Sequence, residues 1–279
     1  MTQQLRGPSP ALHVLFDPGA ATPATAAERM YGGLLRFPSR PSPYVVTNFV
    51  STMDGVVSLG LHDGTDASTV GGHSQADRFV MAMLRAASDV VLIGAHTLAD
   101  SAGHQWTPRA LEPQWTEAMH EYRAALGHTS ETAPLAVVTG SGQLPDHVAL
   151  SHPATETVIV TTKDGAARIA DTHRHVTPLV IEEPPPFRGA AILAALREQG
   201  WRLVLCEGGP SLMGAVLESG AATDLFMTIA PHVAGRDAQH ARHAMVEGFV
   251  APPGRLVECE LLSARRAEAH LFLRYRRRR

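Results

Sequence analysis

The sequence has only two cysteines, Cys206 and Cys259, among its 279 residues. Two cysteines are too few for a disulfide framework, and such scarcity is typical of proteins in a reducing compartment. No apolar run approaches the roughly 18 residues that a membrane-spanning helix needs. No charged region followed by an apolar segment marks a secretory signal near residue 1. We therefore expect a cytoplasmic protein that has no membrane as a partner.

Net charge is also small. Lys and Arg number 24 against 27 Asp and Glu, which leaves a net charge of −3. A chain this close to neutral has no electrostatic reason to bind nucleic acid. The exception is residues 276–279 (RRRR), a run that is typical of a solvated, mobile tail. We expect no nucleic-acid partner.

The fifteen histidines form no recognisable metal-binding motif. Four of them lie in irregular polar stretches where no cysteine or carboxylate follows at ligand spacing. These four are His173, His175, His240 and His243. The sequence predicts no metal site.

The most informative stretch is residues 202–219 (RLVLCEGGPSLMGAVLES). Residues 203–206 form a short apolar run, as in a strand buried on both faces, and the apolar spacing after Ser211 is that of a helix. Between them lies Glu207-Gly208-Gly209-Pro210, where the missing Cβ atoms and a helix N-terminus suit a phosphate group. Ser211 would cap the helix or donate to that phosphate. Paired glycines also occur in ordinary turns, and the pattern is not G-x-G-x-x-G, so this stretch alone does not decide between the two.

The rest of the chain alternates between apolar strand candidates and helical periodicity. Strands are predicted at residues 44–50, 90–93, 135–139, 158–162, 179–181 and 224–230, with a closing antiparallel pair at 256–262 and 269–275. Helices are predicted at residues 25–35, 74–87, 114–126 and 189–200. Thr25 with Glu28 resembles a capping box, and Ser74 with Asp77 has the same spacing. This alternation predicts an α/β fold with helices on both faces of a mixed, mostly parallel sheet.

Three segments lack such periodicity. Residues 1–23 are rich in proline and read as a loose leader, so we divide the chain into an arm with a short helix (1–43) and a main domain (44–279). Residues 60–72 are rich in Gly, Asp and Thr and are predicted to be a loop. The pattern of residues 232–253 predicts no particular structure.

Polar and glycine residues follow five of the predicted strands. In α/β sheets, ligands bind at the carboxyl ends of parallel strands, where these residues would meet. They are Asp54, residues 94–97, residues 139–141, Lys163 and residues 207–211. Five strand ends of similar chemistry favour a nucleotide site over five unrelated turns.

Three blocks together resemble a known family. They are residues 48–55 (NFVSTMDG), residues 84–100 (LRAASDVVLIGAHTLAD) and residues 207–231, which begin EGGPSL and end IAP. In order and spacing they are similar to the pyrimidine reductases of the riboflavin pathway, the reductase half of a bifunctional deaminase–reductase. The resemblance covers residues 44–275. It implies the three-layer αβα fold of dihydrofolate reductase, a homodimer, and NADPH-dependent reduction of the ribosyl group of a phosphoribosylamino-pyrimidine.

The resemblance also implies roles for individual residues. Arg85 and Glu207 would face the small-molecule substrate, Arg85 at its phosphate and Glu207 beside the sugar as the catalytic residue that assists proton transfer. Asp54, at the same edge, is a third candidate for substrate binding. The strand-end argument and the resemblance together predict the NADPH contacts. These are Val50, Gly94, Thr97, Asp100, Gly208, Gly209, Pro210, Ser211, Leu212, Met213, Gly214 and Ala215.

The chain departs from the family pattern in three places. Asn48 stands where the family usually has Lys, and residues 101–106 (SAGHQW) replace a segment that carries arginine. No His-x-Glu with Pro-Cys-x-x-Cys occurs, so the motif of the zinc deaminase half is absent from these residues. Because residues 101–106 lie where substrate is chosen, two alternatives stay open: a dihydrofolate or other pterin reductase on the same fold, and a non-catalytic NADP-binding protein.

Overall fold

The computed structural model describes residues 12–19, 21–38, 43–152, 155–240 and 242–278. Its strands are β1 (His13–Phe16), β2 (Tyr44–Ser51), β3 (Val90–Gly94), β4 (Leu135–Val138), β5 (Thr157–Thr161), β6 (Thr177–Val180), β7 (Leu203–Cys206), β8 (Ala222–Ile229), β9 (Cys259–Ala267) and β10 (His270–Arg277). They form one sheet in the order β1-β9-β10-β8-β2-β7-β3-β4-β5-β6. Every predicted strand is present, with ends that shift by a few residues.

The helices are α1 (Ala26–Tyr31), α2 (Asp66–Val70), α3 (Gln75–Ala87), α4 (Ala95–Ala99), α5 (Pro108–Leu111), α6 (Thr116–Ala125), α7 (Val148–Ser151), α8 (Lys163–Thr172), α9 (Gly189–Glu198) and α10 (Pro210–Glu218). A 3₁₀ turn covers Pro113–Trp115. The helices predicted at 25–35, 74–87, 114–126 and 189–200 are confirmed as α1, α3, α6 and α9, and the helix predicted after Ser211 is α10. Thr25 and Glu28 form a capping box, whereas at α3 the Ser74 side chain accepts from the Asp77 N–H.

Seven neighbouring strands, from β8 to β6, run parallel to one another. At the other side of the sheet, β10 pairs antiparallel with both β8 and β9, and β1 pairs antiparallel with β9. The expected mixed, mostly parallel sheet with a closing antiparallel pair is therefore confirmed. All seven carboxyl ends lie at one edge of the sheet, which we call the carboxyl edge.

Two apolar cores lie on opposite faces of the sheet, as the side-chain alternation of β3 shows. Val91 and Ile93 belong to the core beneath α1, α3 and α6, whereas Val90 and Leu92 belong to the core beneath α9 and α10. Consecutive strand residues point to opposite faces, so a continuous apolar run is what a strand covered on both sides requires. Full burial of each such side chain stabilises the fold by roughly 1.5–3 kcal/mol. The result is the three-layer αβα arrangement that the resemblance implied.

The amino-terminal segment belongs to the same sheet. β1 lies at the sheet edge beside β9, and Arg265 of β9 donates to the Tyr31 carbonyl at 2.8 Å and to the Asp17 carboxylate at 2.6 Å. The expectation of a loose leader is wrong for the described part of residues 1–23, and residues 1–11 lie outside the described residues. The predicted helix at 25–35 ends early because Gly32 adopts a left-handed conformation, φ 79°, at its carboxyl end.

The carboxyl-terminal arginines also differ from expectation. β10 runs to Arg277, and Arg276 donates from Nε to the buried carboxylate of Asp224 at 2.9 Å. Arg274 contacts the same carboxylate at 2.6 Å, and the Tyr44 hydroxyl donates to it at 2.8 Å. The predicted mobile tail is wrong for Arg276 and Arg277, since a buried anion holds the first and strand pairing holds both. Arg279 lies outside the described residues.

The structure also describes two segments for which the sequence predicted no strand or helix. The predicted loop at residues 60–72 contains the short helix α2, which the Gly and Thr content concealed. Residues 232–253 contain no strand or helix among those described, and they cross the carboxyl edge. They are held by a β-bridge between Ser58 and His243 and by the Glu247 N–H, which donates to the Pro210 carbonyl at 3.1 Å.

Candidate functional site

Four adjacent parallel strands, β8, β2, β7 and β3, present their loops side by side at the carboxyl edge. Asp54 follows β2, Gly94 ends β3, Glu207 follows β7 directly, and Pro231 follows β8. Parallel pairing forces these loops together because neighbouring strands end at the same height. The prediction that these strand ends share one edge is confirmed.

The junction between β7 and α10 forms the glycine cradle, residues 208–212. Gly209 is the N-cap of α10 and Pro210 is its first residue, where the missing N–H costs nothing. Helix geometry leaves the Ser211 and Leu212 N–H groups without intrahelical acceptors, and the helix dipole adds partial positive charge. A Cβ at Gly208 would lie 2.4 Å from the end of the Leu212 side chain, so a larger residue there would require Leu212 to move. The expected capping role of Ser211 is wrong, because the cap is Gly209 and the Ser211 side chain is exposed at the second helical position.

A single hydrogen bond joins the cradle to the end of β3. The Gly209 N–H donates to Thr97 Oγ1 at 3.1 Å. Thr97 lies in α4, whose N-cap is Gly94. A Cβ built at Gly94 would meet no heavy atom within 4 Å, so this glycine borders open space. Two glycine N-caps on neighbouring strands are thereby fixed next to each other.

Arg85 and Glu207 form a buried ion pair at the same edge. Arg85, from the last turn of α3, donates from Nε to Glu207 Oε1 at 3.2 Å and from Nη2 to Glu207 Oε2 at 2.7 Å. The two side chains are 2% and 7% exposed. A forked pair of this kind fixes the plane of the carboxylate as well as its position. Arg85 is therefore held by a buried partner and is not exposed to solvent.

Residues 104–105 take two of the three Arg85 N–H groups that Glu207 leaves. Nη1 donates to the Gln105 carbonyl at 3.3 Å, and Nη2 lies 3.2 Å from His104 Nε2. Together with the contacts to Glu207, these use four of the five guanidinium N–H groups. One N–H is thus left for a substrate phosphate, which was the role the resemblance implied for Arg85.

The segment that departs from the family pattern is packed, not loose. The His104 ring meets Trp106 edge to face at 4.8 Å, and Trp106 lies 5.9 Å from the His147 ring. His147 caps α7 by accepting from the Ala149 N–H and contacts the Ser101 carbonyl at 2.8 Å. These contacts connect residues 101–106 to the core on the α3 face of the sheet.

Asp54 connects two loops of the carboxyl edge. Its carboxylate accepts from the Thr52 hydroxyl at 2.7 Å and from the N–H groups of Ala234 and Gly235 at 3.0 and 2.8 Å. The Thr52 hydrogen bond, followed by the backbone donors, holds the pKa of the Asp54 carboxyl below its ordinary value. These contacts join the turn after β2 to the segment after β8. Asp54 therefore stabilises the shape of the carboxyl edge, and its predicted role in substrate binding stays a prediction.

The other predicted cofactor residues are distributed around the cradle. Val50 is half-buried on β2, and Asp100, 44% exposed at the end of α4, lies 2.9 Å from His62 Nδ1. Met213 is fully buried, and a Cβ at Gly214 would lie 2.0 Å from the Glu247 carbonyl. Residues 213–214 are thus covered by protein, while Gly94, Thr97 and residues 209–212 border the open part of the edge.

The ends of β4 and β5 bind each other. Thr162 caps α8 and donates to the Gly140 carbonyl at 3.0 Å, and Arg168 donates to the Ser141 carbonyl. The sequence presented residues 139–141 and Lys163 as further phosphate contacts. The structure shows the first of these as part of a loop-to-loop network beside β5.

Two residues near the site escaped the sequence reasoning. Asp77, predicted only as a capping partner, is buried, and burial raises the pKa of its carboxyl against a Thr228 hydrogen bond that lowers it. His104 lies in the segment whose departure from the family was the available signal. No pattern in one sequence indicates which buried groups meet across a distance of twenty or more residues.

Two cavities lie away from the carboxyl edge. One of about 540 Å³ opens near Arg197 and Arg277 at the opposite edge of the sheet, and one of about 510 Å³ lies beside Arg123 and Ser130. Within the described ranges, no three His, Cys, Asp or Glu side chains are grouped as metal ligands. No helix in that part of the chain has the length and apolar character needed to cross a bilayer.

Comparison with known proteins gives a consistent result. A family model described as the RibD C-terminal domain matches residues 43–269. The riboflavin biosynthesis protein RibD of Escherichia coli (strain K12) is 26% identical over 216 residues, which cover 76% of this chain and 55% of that protein. The chain therefore spans about half the length of this curated relative.

Solved structures share the fold. RibD of Acinetobacter baumannii aligns with a TM-score of 0.61 at 21% identity, over 85% of this chain and 59% of that one. A pyrimidine reductase-like protein of Corynebacterium diphtheriae aligns with a TM-score of 0.60 at 18% identity, over 85% of this chain and 92% of that one. At these identities the alignments establish a common architecture.

Proposed function

The chain belongs to the RibD C-terminal domain family, and from that membership we propose that it is a NADPH-dependent reductase of a phosphoribosylamino-pyrimidine, 5-amino-6-(5-phosphoribosylamino)uracil or a close relative. The observation that carries this proposal is the Glu207 carboxylate, held by Arg85 and placed directly before the glycine cradle. The names of the relatives, which mention riboflavin biosynthesis and pyrimidine reduction, support the substrate class.

The carboxyl edge fits a dinucleotide. The N–H groups of Ser211 and Leu212 at the start of α10 suit a pyrophosphate oxygen, and Gly94 borders open space where a side chain would intrude. Val50, Thr97 and Asp100 complete the proposed binding residues. When bound, NADPH supplies the hydride. The preference for NADPH over NADH comes from the family resemblance.

The protein's share of the reaction is positioning and proton movement. Reduction of ribosyl to ribityl adds a hydride to C1′ of the sugar, breaks the bond from C1′ to the ring oxygen, and adds a proton to that oxygen. We assign Glu207 to accept a hydrogen bond from the sugar and to assist that proton transfer, with Arg85 keeping its carboxylate in place. For the reaction to proceed, the site must hold the hydride donor and C1′ about 3–3.5 Å apart.

One observation favours a second candidate substrate. His104 and Gln105 take up two Arg85 donors, so a single N–H remains for a phosphate. A site with little capacity for phosphate suits a dihydrofolate or another pterin better than a sugar phosphate. We keep pterin reduction as the alternative for this reason.

NADPH oxidation at 340 nm separates these functions. The purified chain is assayed with 5-amino-6-(5-phosphoribosylamino)uracil and with dihydrofolate, each with NADPH and with NADH. Oxidation that depends on the pyrimidine supports the proposal, and oxidation that depends on dihydrofolate supports the alternative. No turnover with either, while calorimetry detects tight NADPH binding, identifies a non-catalytic NADP-binding protein.

The homodimer implied by the resemblance is a separate proposal. Sedimentation equilibrium of the purified chain measures its mass directly, against the 29.8 kDa of one chain. A mass near twice that value supports the dimer, and a mass that stays at one chain up to high micromolar concentration contradicts it.

A further inference from the structure

His104 contacts the ion pair at the Arg85 nitrogen that also donates to Glu207. Its Nε2 atom is 3.2 Å from Nη2 of Arg85, while Glu207 Oε2 is 2.7 Å from the same nitrogen. We propose that His104 is a positioning residue, which as a neutral imidazole accepts a hydrogen bond from Arg85 and so holds the guanidinium and the Glu207 carboxylate in one plane. The effect on turnover rests on the proposed function, whereas the effect on Arg85 itself does not.

The chemistry of the contact determines the tautomer. A guanidinium only donates hydrogen bonds, so Nε2 of His104 must be the acceptor and the ring proton must be on Nδ1. Three ionisable groups face the ring or its partner: Arg85, His147 and, across the guanidinium, Glu207. Burial, with smaller contributions from Arg85 and then His147, lowers the pKa of His104 to about 3. The ring is therefore neutral throughout the physiological pH range.

The surroundings keep the imidazole in its accepting orientation. Trp106 packs on the ring edge at 4.8 Å and is itself only 4% exposed. Trp106 in turn packs near His147, whose two ring nitrogens contact the backbone of Ala149 and Ser101. A side chain whose position is set by packing and by neighbouring hydrogen bonds can orient a charged group with little loss of entropy.

Loss of the acceptor would leave a buried Arg85 N–H without a partner. A buried donor that has lost its partner is unfavourable, so the guanidinium would turn toward water or another acceptor. Because Nη2 of Arg85 contacts both His104 and Glu207, rotation of the guanidinium would also move the Glu207 carboxylate. His104 lies in residues 101–106, the segment in which the sequence departs from the family pattern.

Matched variants separate positioning from packing. His104→Leu keeps an apolar side chain of similar bulk but removes the acceptor, whereas His104→Gln places an amide oxygen near the position of Nε2. His175→Leu is the control, since His175 is exposed just before β6. The first readout is the ¹⁵N–¹H signal of the Arg85 Nε group, assigned through its loss in Arg85→Lys. The second readout is kcat on the pyrimidine substrate, together with the NADPH dissociation constant.

The proposal predicts that the Arg85 Nε–H signal shifts and exchanges faster with water in His104→Leu but stays near its native position in His104→Gln. We expect kcat to fall about tenfold or more in His104→Leu and less than about threefold in His104→Gln, with NADPH affinity unchanged. An unaltered Arg85 signal in His104→Leu overturns the inference, as does equal damage in both variants, which would indicate packing alone. If the native chain reduces no pyrimidine, the proposed function fails, and the Arg85 signal still decides the role of His104.

Discussion

The Thr97 hydroxyl oxygen accepts a 3.1 Å hydrogen bond from the Gly209 backbone N–H. This contact joins α4, which begins after Gly94 on β3, to α10, which begins after Gly209 on β7. The two helix starts are otherwise separated by more than a hundred residues of chain. The contact places the two helix N-termini side by side, so that their backbone N–H groups border the same open space. The proposal that a dinucleotide binds here depends on this arrangement.

Gly94 allows a direct test of that surface. Its φ of −90° suits any residue, and a side chain there would project into open space. Gly94→Leu should therefore fold normally but weaken NADPH binding about tenfold or more, a loss of roughly 1.4 kcal/mol. Calorimetry measures the affinity, and thermal unfolding checks the fold. The control is Ala167→Leu on the exposed face of α8. Equal NADPH affinity in both variants would count against NADPH binding beside Gly94.

Glu207→Gln tests the proposed proton-transfer step. The amide keeps the shape of the side chain but removes the charge that faces Arg85 and that we propose to act on the sugar. Turnover of the pyrimidine should fall by roughly 10²–10⁴-fold, the usual contribution of a positioned acid or base. NADPH affinity should stay nearly unchanged. Native turnover in this variant would remove Glu207 from the mechanism.

The low pKa of His104 predicts a pH dependence of stability. Its pKa is lowered from 6.5 to about 3 in the folded protein, so the unfolded chain binds more protons between these values. The contribution of His104 to the free energy of unfolding is therefore fully present above pH 6.5 and is lost as the pH falls toward 3. The urea-unfolding free energy should decrease less between pH 7 and pH 4 in His104→Gln than in the native protein or in His175→Gln. An identical decrease in all three would exclude this contribution.

Asp224 forms buried ion pairs with two arginines, far from the proposed site. Its carboxylate is fully buried and accepts from Tyr44, Arg274 and Arg276. Burial, and then the Asp224 charge, raise the pKa of Tyr44 to about 12. Asp224→Asn leaves two arginines without their counterion and should lower the unfolding free energy by about 3–5 kcal/mol. Asp237→Asn, an exposed control, should lower the unfolding free energy far less; equal losses in the two variants would show that the buried position of Asp224 adds nothing.

The sequence predicted those strands and helix starts whose formation depends on neighbouring residues. The apolar runs of β3 and β7, covered on both faces, were evident in the sequence, and so were the capping pairs of Thr25 with Glu28 and Ser74 with Asp77. The edge strand β1 was missed although three of its four residues are apolar, because it is short and lies within the proline-rich residues 1–23, which indicated an irregular leader. The cap of α10 was misplaced from Gly209 to Ser211 because a glycine N-cap leaves no side-chain signature.

Contacts between side chains that are far apart in the chain could not be predicted from a single sequence. Arg85 and Glu207 were each identified, yet their direct ion pair follows from how α3 packs beside the end of β7. The contact of His104 with Arg85 and the attachment of Ala234 to Asp54 depend on segments without periodicity. Such segments are positioned by tertiary contacts, since their own backbone preferences are weak.

The most direct test is a crystal structure of the protein with NADPH. The account predicts a pyrophosphate at the N-terminus of α10 within hydrogen-bond distance of the Ser211 or Leu212 N–H, and a nicotinamide ring that faces the Glu207 carboxylate. NADPH found in the cavity near Arg197 and Arg277, or no uptake by calorimetry at millimolar NADPH, would contradict it.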